Sequence, residues 1–344
     1  NLGGNLVSPA LVTLGDGLVA SRMGFGTMAL TGVYGYSAHE NDIATLNHAL
    51  DIGVTFIDTA DIYGDGRNEL TGGEVAKHRR GEMTIATKVG ISRSADGKSV
   101  RVINDATYIR KAVDESLGRL SVDVIDLLYL HRRDISIPIE DVVGTMSELV
   151  SKGKVRHLGL SEVIAPEIEA AQAVHPIAAI QSEWSVWSRD VEEHVVPAAA
   201  ALGIGFVPYS PLGRGFLTGT ISNAQQIHDD WRGSFSRFSG DALAINQTIV
   251  TTLNTVAKKY EATAAQIALS WLYATAKRKD IALAPIPGTR KKHRIDENVR
   301  SMTVTLDLDD MCALDALAAD VVGERCDIDD PNWTSQRRER LISI

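Results

Sequence analysis

The sequence predicts an α/β fold of the closed (β/α)₈ type, a TIM barrel with an N-terminal β-hairpin and long loops at its C-terminal face. Two observations carry that prediction. Short runs rich in β-branched or aromatic residues alternate with amphipathic stretches along most of the chain, and three junctions share one punctuation: Gly53 before VTFIDT, Gly153 before KVRHLGLS and Gly203 before IGFVPYS. Glycine accepts the left-handed conformation that ends a helix, so each junction reads as helix, cap, strand. The second observation is the number of units, because MGFGTM, TFIDTA, TIATKVG, VIDLLYLHR, RHLGLSE, AIQSEW, GFVPYS and IALAPIPG make eight strands. Most recur at about 20 to 40 residues, the size of a βα unit. Several are almost continuously apolar, as strands covered on both faces are.

The helices show the matching period: Ile43, Leu46 and Leu50, then Ile109, Val113, Leu117 and Leu120, then Val142, Met146 and Leu149. SAHE at 37–40 has capping-box spacing ahead of the first. Residues 211–245 are too long for an ordinary βα loop and predict a lid over the top of the barrel. No internal linker interrupts the 344 residues, so one domain is expected over 1–344, with a core from about 7 to 320 and a polar surface tail over 321–344.

Composition narrows the function. A 44% hydrophobic and 23% charged chain is of the ordinary globular kind. A net charge of -9 supplies no basic excess for phosphates, which argues against nucleic acid as a partner. The longest apolar stretch, 195–207, is broken by Pro197, Gly203 and Gly205 and is too short to span a membrane. The start lacks the pattern of a secretory signal, and the missing Met leaves a processed leader open. Cys312 and Cys326, the only cysteines, fit a reducing compartment, so a cytoplasmic location is expected, with no zinc cluster and no other metal. Walker, HExxH and paired CxxC motifs are lacking, and GFGTMA at 24–29 is a weak match to the dinucleotide fingerprint, because no acidic residue ends a second strand. The sequence does not decide between a monomer and a homo-oligomer.

In such a barrel the C-terminal strand ends form the active face. Read in order they carry Asp58, Lys88, His131, Ser161 with Glu162, Gln181, Tyr209 and the IPGTR segment, and Tyr63 follows the second strand closely. Singly, each residue has an ordinary structural reading as a turn cap, an ion-pair partner or a rim aromatic. Together, Asp58, Lys88, His131 and Tyr63 compose a proton-transfer set: an ammonium stabilises a nearby phenolate, Asp58 keeps Lys88 protonated, and His131 directs a carbonyl oxygen toward the phenol. Around the opening, Trp184, Trp187, Trp231 and Phe235 suit a bulky or ring-shaped apolar substrate, and Arg132 or Arg133 a polar or anionic substituent.

The run GVTFIDTADIYGDGRNE, ATKVG, DLLYLHR, GLSE, AIQSEWS, PYSPLGRGFLTG and IPGTRKKHRIDENV resembles the aldo-keto reductase family, in particular its bacterial-type NADPH-dependent members. The resemblance extends from MGFGTMALTG to Asn298 and implies reduction of an aldehyde or ketone by NADPH, with a catalytic tetrad of Asp58, Tyr63, Lys88 and His131. It further implies that Gly26, Thr27 and Met28 line the NADPH/NADP⁺ site, that Ser161 and Gln181 hold the nicotinamide carboxamide, and that Tyr209 stacks on the ring. Ser210, Leu212 and Arg214 would wrap the pyrophosphate, while Thr289, Arg290 and Arg294 suit a 2′-phosphate and Glu297 and Asn298 meet adenine. Two positions depart from the family: Glu162 stands where Asn is frequent, and Gly288 where many members carry Lys. Two other readings remain open: a barrel glycosidase using Glu162 and Glu183, and a cofactor-binding regulatory subunit resembling the potassium-channel β subunits.

Overall fold

The structure, a computed structural model, describes residues 8–94, 99–227 and 231–342. The first seven residues, where a leader and the start of the core were in question, and 228–230 of the expected lid lie outside the described residues. A hairpin comes first: β1 (Leu11–Thr13) pairs antiparallel with β2 (Val19–Ser21). The barrel strands are β3 (Gly24–Gly26), β4 (Phe56–Asp58), β5 (Thr84–Val89), β8 (Ile125–Leu130), β9 (Val155–Ser161), β10 (Ile177–Glu183) and β11 (Gly205–Tyr209). These seven are parallel neighbours in the order β11-β10-β9-β8-β5-β4-β3. A second hairpin, β6 (Ile91–Arg93) with β7 (Val100–Val102), follows β5.

The eighth predicted strand closes the ring without forming a regular ladder. Phe206 N donates to Ala282 O at 2.8 Å, Ala284 N to Phe206 O at 3.0 Å and Ile286 N to Pro208 O at 3.1 Å, while Gly24 N donates to Pro285 O at 2.9 Å on the other flank. Pro285 and Pro287 have no N–H to give, so APIPG pairs only intermittently.

The helices lie outside: α1 (His39–Asp51), α2 (Arg67–Arg79), α3 (Ala106–Leu120), α4 (Ile139–Ser151), α5 (Ala165–Val174), α6 (Val195–Ala201), α7 (Gly240–Lys259), α8 (Ala264–Arg278), α9 (Lys292–Arg300), α10 (Leu308–Ala316) and α11 (Ser335–Ile342). Gly53, Gly153 and Gly203 have φ of 86°, 71° and 66°, the left-handed helix ends that the junctions predict. The capping box does not form. Ser37 Oγ hydrogen-bonds Asp42 Oδ1 at 2.5 Å, and Ala38 takes the N-cap position of α1.

Two apolar clusters divide the core. One joins the outward faces of the strands to the helices, and includes Ile57, Ile85, Leu128, Leu130 and Leu160. The other fills the barrel, with Phe56, Ala86, Leu127, Tyr129, Ala179 and Val207, and is stoppered by Leu14 and Leu18 from the hairpin turn. The tail departs from the surface placement read from its polarity: Arg325 and Ser335 are fully buried, Arg338 nearly so, and all three bond to Glu162 at the end of β9.

The hairpin stopper depends on a close approach at Gly15, where an added Cβ would stand 2.7 Å from Ile177 O and 2.9 Å from Ala178 O. Gly15→Ala is expected to destabilise the fold by about 1–3 kcal/mol through overpacking. Thermal denaturation measures this directly, and an unchanged midpoint contradicts the contact.

Candidate active site

Strand geometry brings the polar groups together. Side chains alternate between the two faces of a strand, so a residue two places beyond an interior side chain also faces inward. Phe56, Ala86, Tyr129, Ala179 and Val207 belong to the interior cluster, and two places on stand Asp58, Lys88, His131, Gln181 and Tyr209. Polarity therefore begins where the apolar filling stops.

Asp58 and Lys88, each 1% exposed, form an ion pair between Oδ1 and Nζ. Lys88 Nζ also donates to Thr59 O at 2.9 Å and to the Tyr63 hydroxyl at 3.4 Å, and Gln181 Nε2 donates to Asp58 Oδ2 at 2.9 Å. Burial works against the ammonium, but Asp58 and Tyr63 outweigh it and hold Lys88 above the ordinary lysine value. His131 lies edge-on to Tyr63, ring centroids 5.8 Å apart. Burial, together with Arg132 and Lys88, pushes its pKa well below the ordinary histidine value, so the imidazole is neutral. Its Nδ1 is buried without a hydrogen-bond partner among the described residues. Directly after Tyr63, Gly64, Asp65 and Gly66 all have positive φ (57°, 57° and 84°), a sharp turn that returns the chain to α2.

These groups open onto a cavity of about 820 Å³, within the range of small-molecule sites. Its wall includes Gly26, Met28, Asp58, Tyr63, His131, Arg132, Gln181, Tyr209, Ser210, Leu212, Arg214 and Trp231, and also Gly288, Thr289, Arg290, Arg294, Glu297 and Asn298. Several predicted residues stand elsewhere. Lys88 lies behind Tyr63. Thr27 holds Asp58 O at 2.7 Å from beneath. Ser161 is 1% exposed, and its Oγ accepts from Arg132 Nη1 at 3.2 Å. Trp184, expected at the opening, is fully buried against Phe206 and donates to Glu192, because residue 184 turns toward the helices. Trp187 likewise stacks on Phe216 in the core.

Three charged residues take partners that the sequence does not announce. Arg290 donates to Gly35 O and Tyr36 O at 2.7 and 2.6 Å and to Tyr34 O at 2.7 Å, and so ties down the loop after β3 rather than standing free for a phosphate. Arg214 pairs with the buried Glu183 at 2.8 Å. Arg133 pairs with Glu167 at 3.1 Å, which leaves Arg132, over the Trp333 ring at 5.3 Å, as the cavity-facing member of that couple. Glu162 and Glu183 are both fully buried and matched by arginines, so the glycosidase reading loses its pair of available carboxylates. Sequence reasoning missed Tyr34, Lys291, Cys326, Ile328, Trp333 and Thr334, all in the cavity wall. Lys291 was legible in the basic run RKKHR; the tail residues carry no motif.

The wall suits a phosphorylated dinucleotide. In a chain of net charge -9, the Arg294 guanidinium and Lys291 ammonium reach the cavity without an ion-pair partner among the described residues. The same cavity joins them to the neutral His131 and the Tyr209 ring, giving cationic groups for phosphates and an aromatic face for a flat ring. Among the described residues, no group of three or more His, Cys, Asp or Glu is placed to hold a metal, and no helix is long and apolar enough to cross a membrane.

Residues 22–319 match the Aldo/keto reductase family. The chain is 42% identical over 298 residues to "Probable aldo-keto reductase 1" of Glycine max, covering 86% of this chain and 85% of that protein. Among solved structures it is similar to the glycerol dehydrogenase AKR11B4 from Gluconobacter oxydans, with a TM-score of 0.82 at 26% identity, over 92% of this chain and 98% of the other. It is also similar to the thermostable aldo-keto reductase Tm1743 solved with the inhibitor epalrestat, with a TM-score of 0.71 at 26% identity, over 90% and 99%.

Between Asp58 and Tyr63, Asp61 donates its N–H to Lys88 O at 3.1 Å, while its carboxyl meets the Tyr108 hydroxyl at 3.2 Å. Burial and then Glu69 raise its pKa from 3.8 to about 7. A raised folded-state value means that its contribution to stability is complete below pH 3.8 and is lost as pH climbs through about 7. Asp61→Asn, neutral throughout, is expected to flatten the decline in melting temperature between pH 5 and pH 8. A curve parallel to wild type contradicts this.

Proposed function

The chain belongs to the aldo/keto reductase family, oxidoreductases acting on carbonyls and alcohols, and on that premise we propose that it reduces an aldehyde or ketone to the alcohol, reversibly, with NADPH. The observation that carries the proposal is the linked set Asp58, Lys88, Tyr63 and His131 at one end of a cavity-facing chain of hydrogen bonds. When bound, the reduced nicotinamide supplies the hydride. The protein's part is the proton and the placement. Tyr63 gives its hydroxyl proton to the carbonyl oxygen as charge develops there. The ammonium of Lys88, 3.4 Å away, stabilises the phenolate left behind. Neutral His131 offers an N–H to the same oxygen and adds no second positive charge beside Lys88.

Tyr209 and Gln181 are the residues proposed to meet the nicotinamide, Ser210, Leu212 and Arg214 the pyrophosphate, and Arg294 with Lys291 the 2′-phosphate. Glu297 and Asn298 complete the adenosine end. The substrate proposed is a bulky carbonyl compound, such as a cyclic ketone or a terpenoid or sugar-like carbonyl. Tyr34, Trp231, Phe235 and Trp333 form aromatic walls, and the Trp231 indole N–H is unpartnered among the described residues. Two free cysteines are consistent with the cytoplasm as the proposed location.

Tyr63→Phe removes only the hydroxyl. It is expected to lower kcat for carbonyl reduction by about 10²–10⁴-fold, the usual worth of a general acid, with NADPH binding retained. Nicotinamide absorbance decay over an aldehyde and ketone panel reads the first quantity and fluorescence titration the second; unchanged turnover excludes Tyr63 as the acid. Arg294→Ala is expected to weaken NADPH at least tenfold more than NADH. Equal losses for the two cofactors reject the phosphate assignment.

A further inference from the structure

Beyond residue 319, where the family match ends, the chain sends Arg325 and Arg338 back into the interior. Arg325 is fully buried and straddles two carboxylates. Its Nη1 and Nη2 donate to Glu162 Oε1 and Oε2 at 3.1 and 3.0 Å, and its Nε donates to Asp190 at 3.1 Å. Glu162 sits just past β9 in the left-handed region, φ 54°, a conformation that a residue with a side chain keeps only when its surroundings enforce it. Those surroundings come from the tail: besides Arg325, Ser335 donates from its N and Oγ at 2.9 and 3.1 Å, and Arg338 bonds Glu162 O. From within the barrel the carboxylate accepts from the Glu183 N–H at 3.4 Å and from the Tyr209 hydroxyl, 3.0 Å from Oε1. Arg325 Nη1 also stands 3.4 Å from that hydroxyl, so guanidinium, carboxylate and phenol share one small triangle.

We propose that Arg325 is a positioning residue for the cofactor face, acting through Glu162 to fix the ring of Tyr209. The planar fork of Arg325 orients both oxygens of Glu162, and the oriented Oε1 in turn pins the phenol. Tyr209 lines the cavity and ends β11, so its hydroxyl is the handle by which the tail sets the ring's tilt and depth. This explains why a carboxylate at position 162 is compatible with the site: its charge is committed to the tail and does not face the cavity. The inference rests on the reading of Tyr209 as the ring beneath the nicotinamide.

The test uses the full chain and two measurements, NADPH affinity by fluorescence titration and thermal melting without cofactor. Arg325→Lys keeps the charge but loses the fork. It is expected to melt below wild type, because buried charge-assisted hydrogen bonds are lost, and the NADPH Kd of the folded protein is expected to rise roughly tenfold. In a Tyr209→Phe background the same substitution is expected to leave Kd unmoved, because no hydroxyl remains for Glu162 to hold. Tyr209→Phe by itself is expected to raise Kd by a similar factor with little change in melting. A change in melting with Kd unaltered, or an equal rise in Kd in both backgrounds, overturns the proposal, and so does a Tyr209→Phe protein that binds NADPH as tightly as wild type, whether or not the lysine variant folds. A wild type that binds no NADPH overturns the cofactor reading along with it; a wild type that binds while every variant matches it overturns the positioning proposal alone.

Discussion

An ammonium with 1% of its side chain exposed has to be neutralised where it stands, and the upper half of the barrel is arranged around that requirement. Lys88 finds Asp58 on the adjacent strand, in the same inward-facing layer. Asp58 is in turn tied by Gln181 from across the barrel and by Thr27 beneath its backbone. Four elements are thereby held to one pair of charges. Tyr63 hangs from the same ammonium, and the imidazole beside it stays neutral because a further positive charge there is disfavoured by burial, Arg132 and Lys88.

Much of this was legible because it obeys local periodicity. Asp58, Lys88, Gln181 and Tyr209 lie two places beyond apolar residues in strand-like runs, so sequence register alone carries them to the barrel mouth. The glycine junctions and the N-terminal hairpin follow the same local chemistry. The eighth strand was recognisable as an apolar run, yet its prolines decide that it joins by scattered hydrogen bonds rather than as a ladder.

Where the reading failed, the deciding partner lies far off in sequence, Trp184 excepted. Trp184 follows Glu183 directly, and one step along the strand exchanges the barrel interior for the layer between strands and helices. Arg290 sits in a basic run that resembles a phosphate site, but the carbonyls that hold it belong to residues 34–36. The tail looks like a solvated polar segment, since Arg325, Ser335 and Arg338 have no periodicity, and their burial is favourable because carboxylates far back in the chain, Glu162, Glu167 and Asp190, await them. Charge complementarity between distant segments leaves no mark in a window of one helix or strand.

The tail pairing also bears on the order in which the molecule is made. Glu162 and Arg325 are 163 positions apart in the chain, and synthesis at about 5–20 residues per second puts the arginine on the order of 10 s behind the glutamate. During that interval β10 and β11 emerge in turn, while the carboxylate at the end of β9 stands without the guanidinium of residue 325. Completion of the interior is therefore reserved for the last part of translation, and a chain released before residue 325 would carry the Glu162 carboxylate without its guanidinium at the end of β9.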